Sequence, residues 1–173
     1  MSEADELYDR LITPIEQKIR ATVVRIVRDP DDADDVIQET LAVVWKRLHK
    51  IDRDANPHSY ILRICVSRAY DLLRSRARRW KRETRAADAV RKDGTVTDDP
   101  AARAMTAERA EVVRNAVGLL PPRQAKALLL RVVDGSSYGA IACILGCSEA
   151  TARSHCSKGT ARLRNVLTEF GIL

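Results

Sequence analysis

The segment SSYGAIACILGCSEATARSHCSK, residues 136–158, decides how this chain is read. Ser136 or Ser137 can cap a helix carrying Tyr138, Ile141, Ala142 and Leu145, because a serine oxygen accepts from a first-turn amide that the helix leaves unpaired. Gly146 supplies the left-handed conformation that a tight helix exit favours. Ser148 then caps the next helix. Ala142 is small where two helices must cross closely, and Ala152 takes an inward position beyond the turn. This is the spacing of a helix-turn-helix, whose second helix enters a major groove with its early turns. Arg153, Ser154, Ser157 and Lys158 project from those turns, and a hairpin that met only protein would have no need of this cationic face. DNA is the expected partner.

A second cationic helix lies well upstream, at Tyr60 to Arg79. Ile61, Cys65, Ala69, Leu72 and Ala77 recur at helical spacing as one apolar face, with Arg63, Ser67, Asp71, Arg74 and Arg78 roughly opposite. Between Arg63 and Arg82 the basic residues are Arg63, Arg68, Arg74, Arg76, Arg78, Arg79, Lys81 and Arg82, against Asp71 alone. Like charges at that density repel unless an anion screens them. One DNA site needs one reading helix, so two point to two separated contacts with nucleic acid. Trp80 follows this face and suits either base stacking or packing against the preceding helix.

Residues 83–107 separate the two. Gly94, Thr95, Thr97, Asp98, Asp99 and Pro100 break helix periodicity, and large apolar residues nearly vanish, so this stretch reads as a linker. Fully extended it spans at most about 80 to 90 Å. Two sites two DNA turns apart lie roughly 70 Å from each other along the duplex. After it, Ala110, Val113, Ala116, Val117 and Leu120 mark a short helix, Pro121-Pro122 a turn, and Arg123 to Val133 another helix.

Toward the N-terminus, Leu7 to Arg28 reads as a helix with Pro14 as an early kink or a later start, and Asp29-Pro30 ends it. Asp31, Asp32, Asp34, Asp35 and Glu39 then stand beside Val36, Ile37, Leu41, Val44, Trp45 and Leu48. Some of this acidity is good first-turn chemistry. The rest makes a patch of opposite sign to the protein as a whole, hostile to phosphate and suited to a basic protein surface. Trp45 is expected in the core, and Lys50 to His58 as a loop.

Composition sets the remaining bounds. The 173 residues carry a net charge of +6, and 45% are hydrophobic but only 4% aromatic. Such cores rest on Leu, Ile, Val and Ala, which suits helices better than sheets. No apolar run reaches the roughly 20 residues that cross a bilayer, and Met1 to Asp9 is acidic rather than signal-like, so no membrane insertion and a cytoplasmic location are expected. Cys65, Cys143, Cys147 and Cys156 read as small buried residues rather than as a zinc or redox site with His155, since their spacing fits no standard zinc module. No cofactor is implied. His49, His58 and His155 are scattered, and neither a phosphate-cradling glycine loop nor a nucleophile elbow is present, so an enzyme is not expected.

Taken in order, these segments resemble the extracytoplasmic-function sigma factors, the minimal two-domain relatives of the sigma-70 family. Asp34-Asp35-Val36-Ile37-Gln38-Glu39-Thr40-Leu41 resembles the family's DAEDLVQE-type segment. Tyr60-Ile61-Leu62-Arg63-Ile64 with Asp71 and Arg74 resembles its WLYRIARNLAIDYLR-type helix, and Leu120-Pro121-Pro122-Arg123-Gln124 with Ser137 to Arg164 its LPPRQ segment and C-terminal helix-turn-helix. The resemblance implies an all-α fold of two small helical domains joined by a flexible linker. A sigma-2-like bundle would occupy residues 1–82, the linker 83–107, and a sigma-4-like helix-turn-helix domain 108–173.

It also implies roles. Asp35, Gln38, Glu39 and Leu41 would dock on the β′ clamp helices of bacterial core RNA polymerase, with the C-terminal domain at the β flap. Lys50, Asn56, Arg63, Ser67, Arg74 and Arg78 would meet the promoter's minus-ten element and hold a non-template base out of the stack. Arg131, Arg153, Ser154, Ser157 and Lys158 would meet the minus-thirty-five element. An anti-sigma factor would wedge between the two domains and restrain the free protein. Ser67 stands where the family commonly has Asn, which removes a bidentate amide contact to a base. Lys158 is a point charge where Arg is common. Gly159, where Ala is common, costs a helix interior up to about 1 kcal/mol. The other reading is a free-standing helix-turn-helix repressor or activator, but it gives the acidic patch no partner.

Overall fold

The computed structural model describes residues 3–91 and 102–172, with side chains described over 3–86 and 109–172. These residues are helical and turn-connected. Helix α1, Glu3–Ile12, runs into a 3-10 turn at Thr13–Ile15 and then α2, Glu16–Val27. Pro14, which has no amide to donate to an α-helical ladder, therefore breaks the expected single helix into two. Arg28 leaves α2 at φ 70°, and Asp29 caps α3, Pro30–Trp45, by accepting from the Asp32 amide at 3.0 Å, with Pro30 in the first turn. A short α4, Leu48–Asp52, follows. The expected loop 50–58 is thus partly helical: Lys50 sits in α4, and α5 already starts at Pro57.

Helix α5, Pro57–Arg91, is the axis of the molecule and carries the helix past the boundary expected at residue 82. Most of the expected linker, residues 92–101 outright and the side chains of 87–108, lies outside the described residues. Then come α6, Ala102–Gly118; α7, Pro122–Leu128, with Pro122 in its first turn; a π-helical turn, Leu129–Val133; α8, Tyr138–Leu145; and α9, Glu149–Glu169.

The buried residues of α5 are Ile61, Leu62, Cys65, Val66, Ala69, Tyr70, Leu73 and Ala77. That is wider than the single stripe the periodicity suggests, because α5 is covered on two sides. On one, the Cys65 thiol points to the Ile19 carbonyl of α2. On the other, the buried Tyr70 hydroxyl donates to the Leu120 carbonyl at 2.7 Å, and Gly118 lies against Leu73 and Ala77. One apolar core runs from Leu11 of α1 to Cys156 of α9.

Three side chains depart from expectation. Trp45 is 47% exposed and tilts against Tyr8, ring centroids 5.5 Å apart, because α3 turns it away from α5 at its last residue. Cys143 is exposed and Cys147 half-buried, since α8 is short and presents both beside its C-terminal turn, while Cys65 and Cys156 are buried. Trp80 packs on Phe170, centroids 4.3 Å apart, so the ring packs within the protein, but against the end of α9 and not against the preceding helix.

Candidate nucleic-acid interface

The helix-turn-helix is built as its sequence dictates. Ser137 accepts from the Ala140 amide at 3.2 Å and Ser148 from the Thr151 amide at 3.1 Å, capping α8 and α9. Between them Gly146 sits at φ 65°, ψ 52°, and the Cys147 amide closes the exit on the Ala142 carbonyl at 3.0 Å. Ala142 and Ala152 are buried where the helices cross. Arg153, Ser157 and Lys158 are exposed on α9 and Ser154 is half-buried.

Arg131, from the π-helical turn, joins them through one ring. The guanidinium carbons of Arg131 and Arg153 stand 4.7 and 4.4 Å from the centroid of Tyr138, at the start of α8. A cation over an aromatic face is held by the ring quadrupole, while its edge N–H groups stay available to other acceptors. One Arg131 N–H goes to the Ser136 carbonyl at 3.1 Å, and Arg153 pairs with Glu149 one turn back at 2.7 Å. Three elements thus bring two arginines together beside the reading helix.

On α5, Tyr60, Arg63, Ile64, Ser67, Arg68 and Asp71 line a cleft of about 380 Å³ with Val43 and Arg47 of the α3 end. Lys50 and Asn56 are exposed and are not among the residues lining it. Arg74 and Arg78 are exposed further along α5, beside a second cleft whose other wall is Gly118 to Pro122. Side chains of the first cleft are already engaged. Arg63 donates to the carbonyls of Ile144 and Cys143, the latter at 3.2 Å. Ser67 accepts from Lys126 Nζ at 2.9 Å, and the partial burial of that ammonium pulls its pKa down from the ordinary lysine value.

The acidic face lies on α3. Asp35, Gln38 and Glu39 are exposed and Leu41 is half-buried. Asp34 pairs with Arg20 at 3.0 Å, Asp32 pairs with Arg76, and Glu39 lies 4.0 Å from Arg68. Acid and base therefore meet along both flanks of α3, through Arg20 of α2 on one side and Arg76 and Arg68 of α5 on the other, with Asp35 at the edge of the α5 seam.

Lys126, Asp134, Tyr138 and Arg47 are participants that pattern reading passes over. Lys126 and Asp134 contact residues far away in the chain, and a pair separated by 59 or 112 positions leaves no periodicity to find. Among the described residues no cluster of three or more His, Cys, Asp or Glu is placed to hold a metal ion. Burial pushes the Cys65 thiol up to about 12, which makes it an inert core residue.

Comparison with known proteins bears on this geometry. The family model of sigma-70 region 2 matches residues 11–79, and that of sigma-70 region 4 matches residues 110–163. The RNA polymerase sigma-H factor of Pseudomonas aeruginosa is 31% identical over 152 residues, covering 85% of this chain and 79% of its own length. The ECF RNA polymerase sigma factor EcfG of Rhodopseudomonas palustris is 28% identical, over 96% of this chain and 88% of the relative. A longer relative from Xanthomonas campestris, described as "Probable RNA polymerase sigma factor RfaY", is 27% identical over 95% of this chain, which spans 41% of that protein's length. Two solved structures share the fold. The sigma factor RpoE in complex with the anti-sigma factor NepR from Bartonella quintana has a TM-score of 0.50 at 24% identity, over 93% of this chain and 96% of the other. CnrH in complex with the cytosolic domain of CnrY has a TM-score of 0.52 at 17% identity, over 94% and 88%.

Proposed function

The chain belongs to the extracytoplasmic-function sigma factors of the sigma-70 family, and on that premise we propose that it directs bacterial core RNA polymerase to a specific set of promoters and assists strand opening there. The observation that carries this reading is the separation of charge by element: carboxylates exposed on α3, cations on α5 and α9, all in one chain. A repressor needs only the second. Asp35, Gln38, Glu39 and Leu41 offer an acidic, partly apolar face to the basic clamp helices of β′, and the C-terminal half meets the β flap.

The cleft of Tyr60, Arg63 and Ser67 is large enough to take a base leaving the stack. Unstacking costs a few kcal/mol, offset by pocket contacts and by phosphate neutralisation from Arg74 and Arg78, with Lys50 and Asn56 at the flank. Arg131, Arg153, Ser154, Ser157 and Lys158 read the minus-thirty-five element, the arginines by fork geometry and Lys158 as a softer point charge. The working units are residues 1–82 and 108–173, with 83–107 spanning between the two promoter elements. The protein lends recognition, in the cytoplasm, to a polymerase that performs the chemistry. One structural neighbour is a complex with the anti-sigma factor NepR, and a partner of that kind restrains this chain.

In vitro transcription tests the reading: purified core polymerase with and without the protein, on pooled genomic fragments of the host. Discrete transcripts that require the protein are the expected result. Absent transcripts, with tight polymerase-independent binding to duplex, would replace it with the repressor reading.

A further inference from the structure

We propose that the cavity enclosed by α2, α6, the π-helical turn and α9 is a binding site for a single-chain aliphatic carboxylate of about ten carbons. The site is independent of the promoter reading. Its volume is about 410 Å³, within the range of small-molecule sites, which are mostly apolar with a few placed polar groups. Val117, Leu128 and Leu129 are buried in its wall, Leu163 is half-buried, and Val113 and Val132 reach solvent, 37% and 71% exposed. No aromatic ring among the described residues lines it, so it offers nothing for a base or another flat ring to stack on. A methylene takes roughly the 30 Å³ that a water occupies in the liquid, so a chain of about ten carbons fills about three quarters of the space.

Charge selects the head group. The charged side chains of the lining are Arg25, Arg28 and Arg114, and no carboxylate among the described residues joins them. Arg114 pairs with Glu111 at 2.5 Å and Arg25 lies 3.6 Å from Asp134, so these two are partly neutralised. Arg28 is exposed and forms no ion pair among the described residues. Thr160 already donates its hydroxyl to the Cys156 carbonyl at 3.0 Å. Arg28 is therefore the free polar group at the cavity, and its planar fork fits a carboxylate while the valines and leucines take the chain.

Two backbone irregularities converge on the same place. Leu129, Val132 and Val133, from the π-helical turn Leu129–Val133, line the cavity. Such turns widen a helix locally and recur at functional sites. Arg28 is the single non-glycine residue at positive φ among the described residues, at φ 70°, ψ −31°. Its amide closes α2 on the Val24 carbonyl at 2.9 Å, an exit that glycine makes without strain and that costs a residue bearing a Cβ. An arginine where glycine would fold more easily is explained by what its side chain does at the cavity.

The test is equilibrium binding of dansyl-labelled undecanoic acid to the full chain, with decanoate, decanol and butanoate as competitors below their micellar or solubility limits. Probe emission is expected to rise saturably at one site per chain. Decanoate is expected to displace the probe, decanol about tenfold more weakly for want of the charge, and butanoate not at all. Arg28→Gly is expected to bind the probe about tenfold more weakly yet to melt no lower than wild type, because it removes the guanidinium and the strain together. Val132→Asp sets a carboxylate at an exposed edge of the cavity, and is expected to abolish binding with the melting temperature retained. Emission that does not saturate, or that saturates equally in both variants, would overturn the site and leave the cavity to a protein partner. Decanol that competes as well as decanoate would overturn the anion assignment. Weakened binding by Arg28→Gly together with a lower melting temperature would assign Arg28 to the fold and overturn its role as the anchor.

Discussion

Tyr138 holds two guanidinium groups near one ring, and under the proposed promoter reading its contribution to DNA recognition comes through them. A cation over an exposed aromatic face is worth about 0.5 to 1 kcal/mol, so replacing the ring by an aliphatic side chain frees both arginines to spread over rotamers that do not face the groove. Tyr138→Leu is expected to weaken promoter binding by the polymerase complex about threefold to tenfold, with Tyr138→Phe close to wild type, as read by anisotropy on minus-thirty-five duplex. Equal loss in both variants would assign the effect to the hydroxyl instead. Gly159 makes a different point. By propensity alone it is a helix defect, yet it is buried where α9 crosses α7, and a Cβ there would stand 3.1 Å from the Gln124 carbonyl oxygen. The flanking Ala125 and Ala127 are fully buried, so α7 has little room to retreat. Overpacking then outweighs the propensity gain, and Gly159→Ala is expected to lower stability by about 1 kcal/mol in urea unfolding. A stabilised variant would show that α7 yields.

Helix boundaries in the C-terminal half follow local chemistry and were legible from it, as Ser137, Gly146, Ser148 and Pro122 each do what their side chains or backbones require, whereas α4 and the full length of α5 were not. The width of the buried face of α5 was not. Leu62, Val66, Tyr70 and Leu73 form a second apolar stripe that is plain only once a second set of helices is known to cover it. Lys126 and Asp134 were hidden for a related reason, since ordinary polar residues acquire their role from partners distant in sequence. Asp29 provides an element-scale prediction with a pH signature. Hydrogen bonding from the Asp32 backbone amide, foremost, holds its carboxyl below the usual carboxylate range. A carboxyl with a depressed folded pKa stabilises the native state above its unfolded pKa, and loses that contribution as pH falls through the folded value. Asp29→Ala is therefore expected to melt a few degrees lower at neutral pH, with the difference from wild type closing well below the ordinary carboxylate range. A difference that persists there would assign the cap to backbone geometry rather than charge.

Over the whole molecule, charge is sorted so that one surface repels what the other attracts. The cations of α5 and α9 attract phosphate and the carboxylates of α3 repel it, which under the proposed reading leaves the α3 edge for protein. Asp32 and Glu39 have arginine neighbours on α5 and Asp34 has one on α2, which ties the acidic seam to both helices and leaves the outward edge, with the exposed Asp35 and Gln38, as the part able to meet an external cation. Exposure also makes these two positions replaceable without touching the core beneath them, Val36, Ile37 and Thr40. Reversing the edge with Asp35→Lys and Gln38→Lys puts like charge against a basic clamp, and juxtaposed like charges cost an interface several kcal/mol. The double variant is expected to lose core-polymerase binding by more than about a hundredfold in surface plasmon resonance, with melting temperature and binding to single-stranded DNA both retained. Loss of all three would mean the fold had failed. Polymerase affinity equal to wild type, in a chain that still melts normally, would move the docking face off α3 and leave its acidity as a guard against phosphate alone.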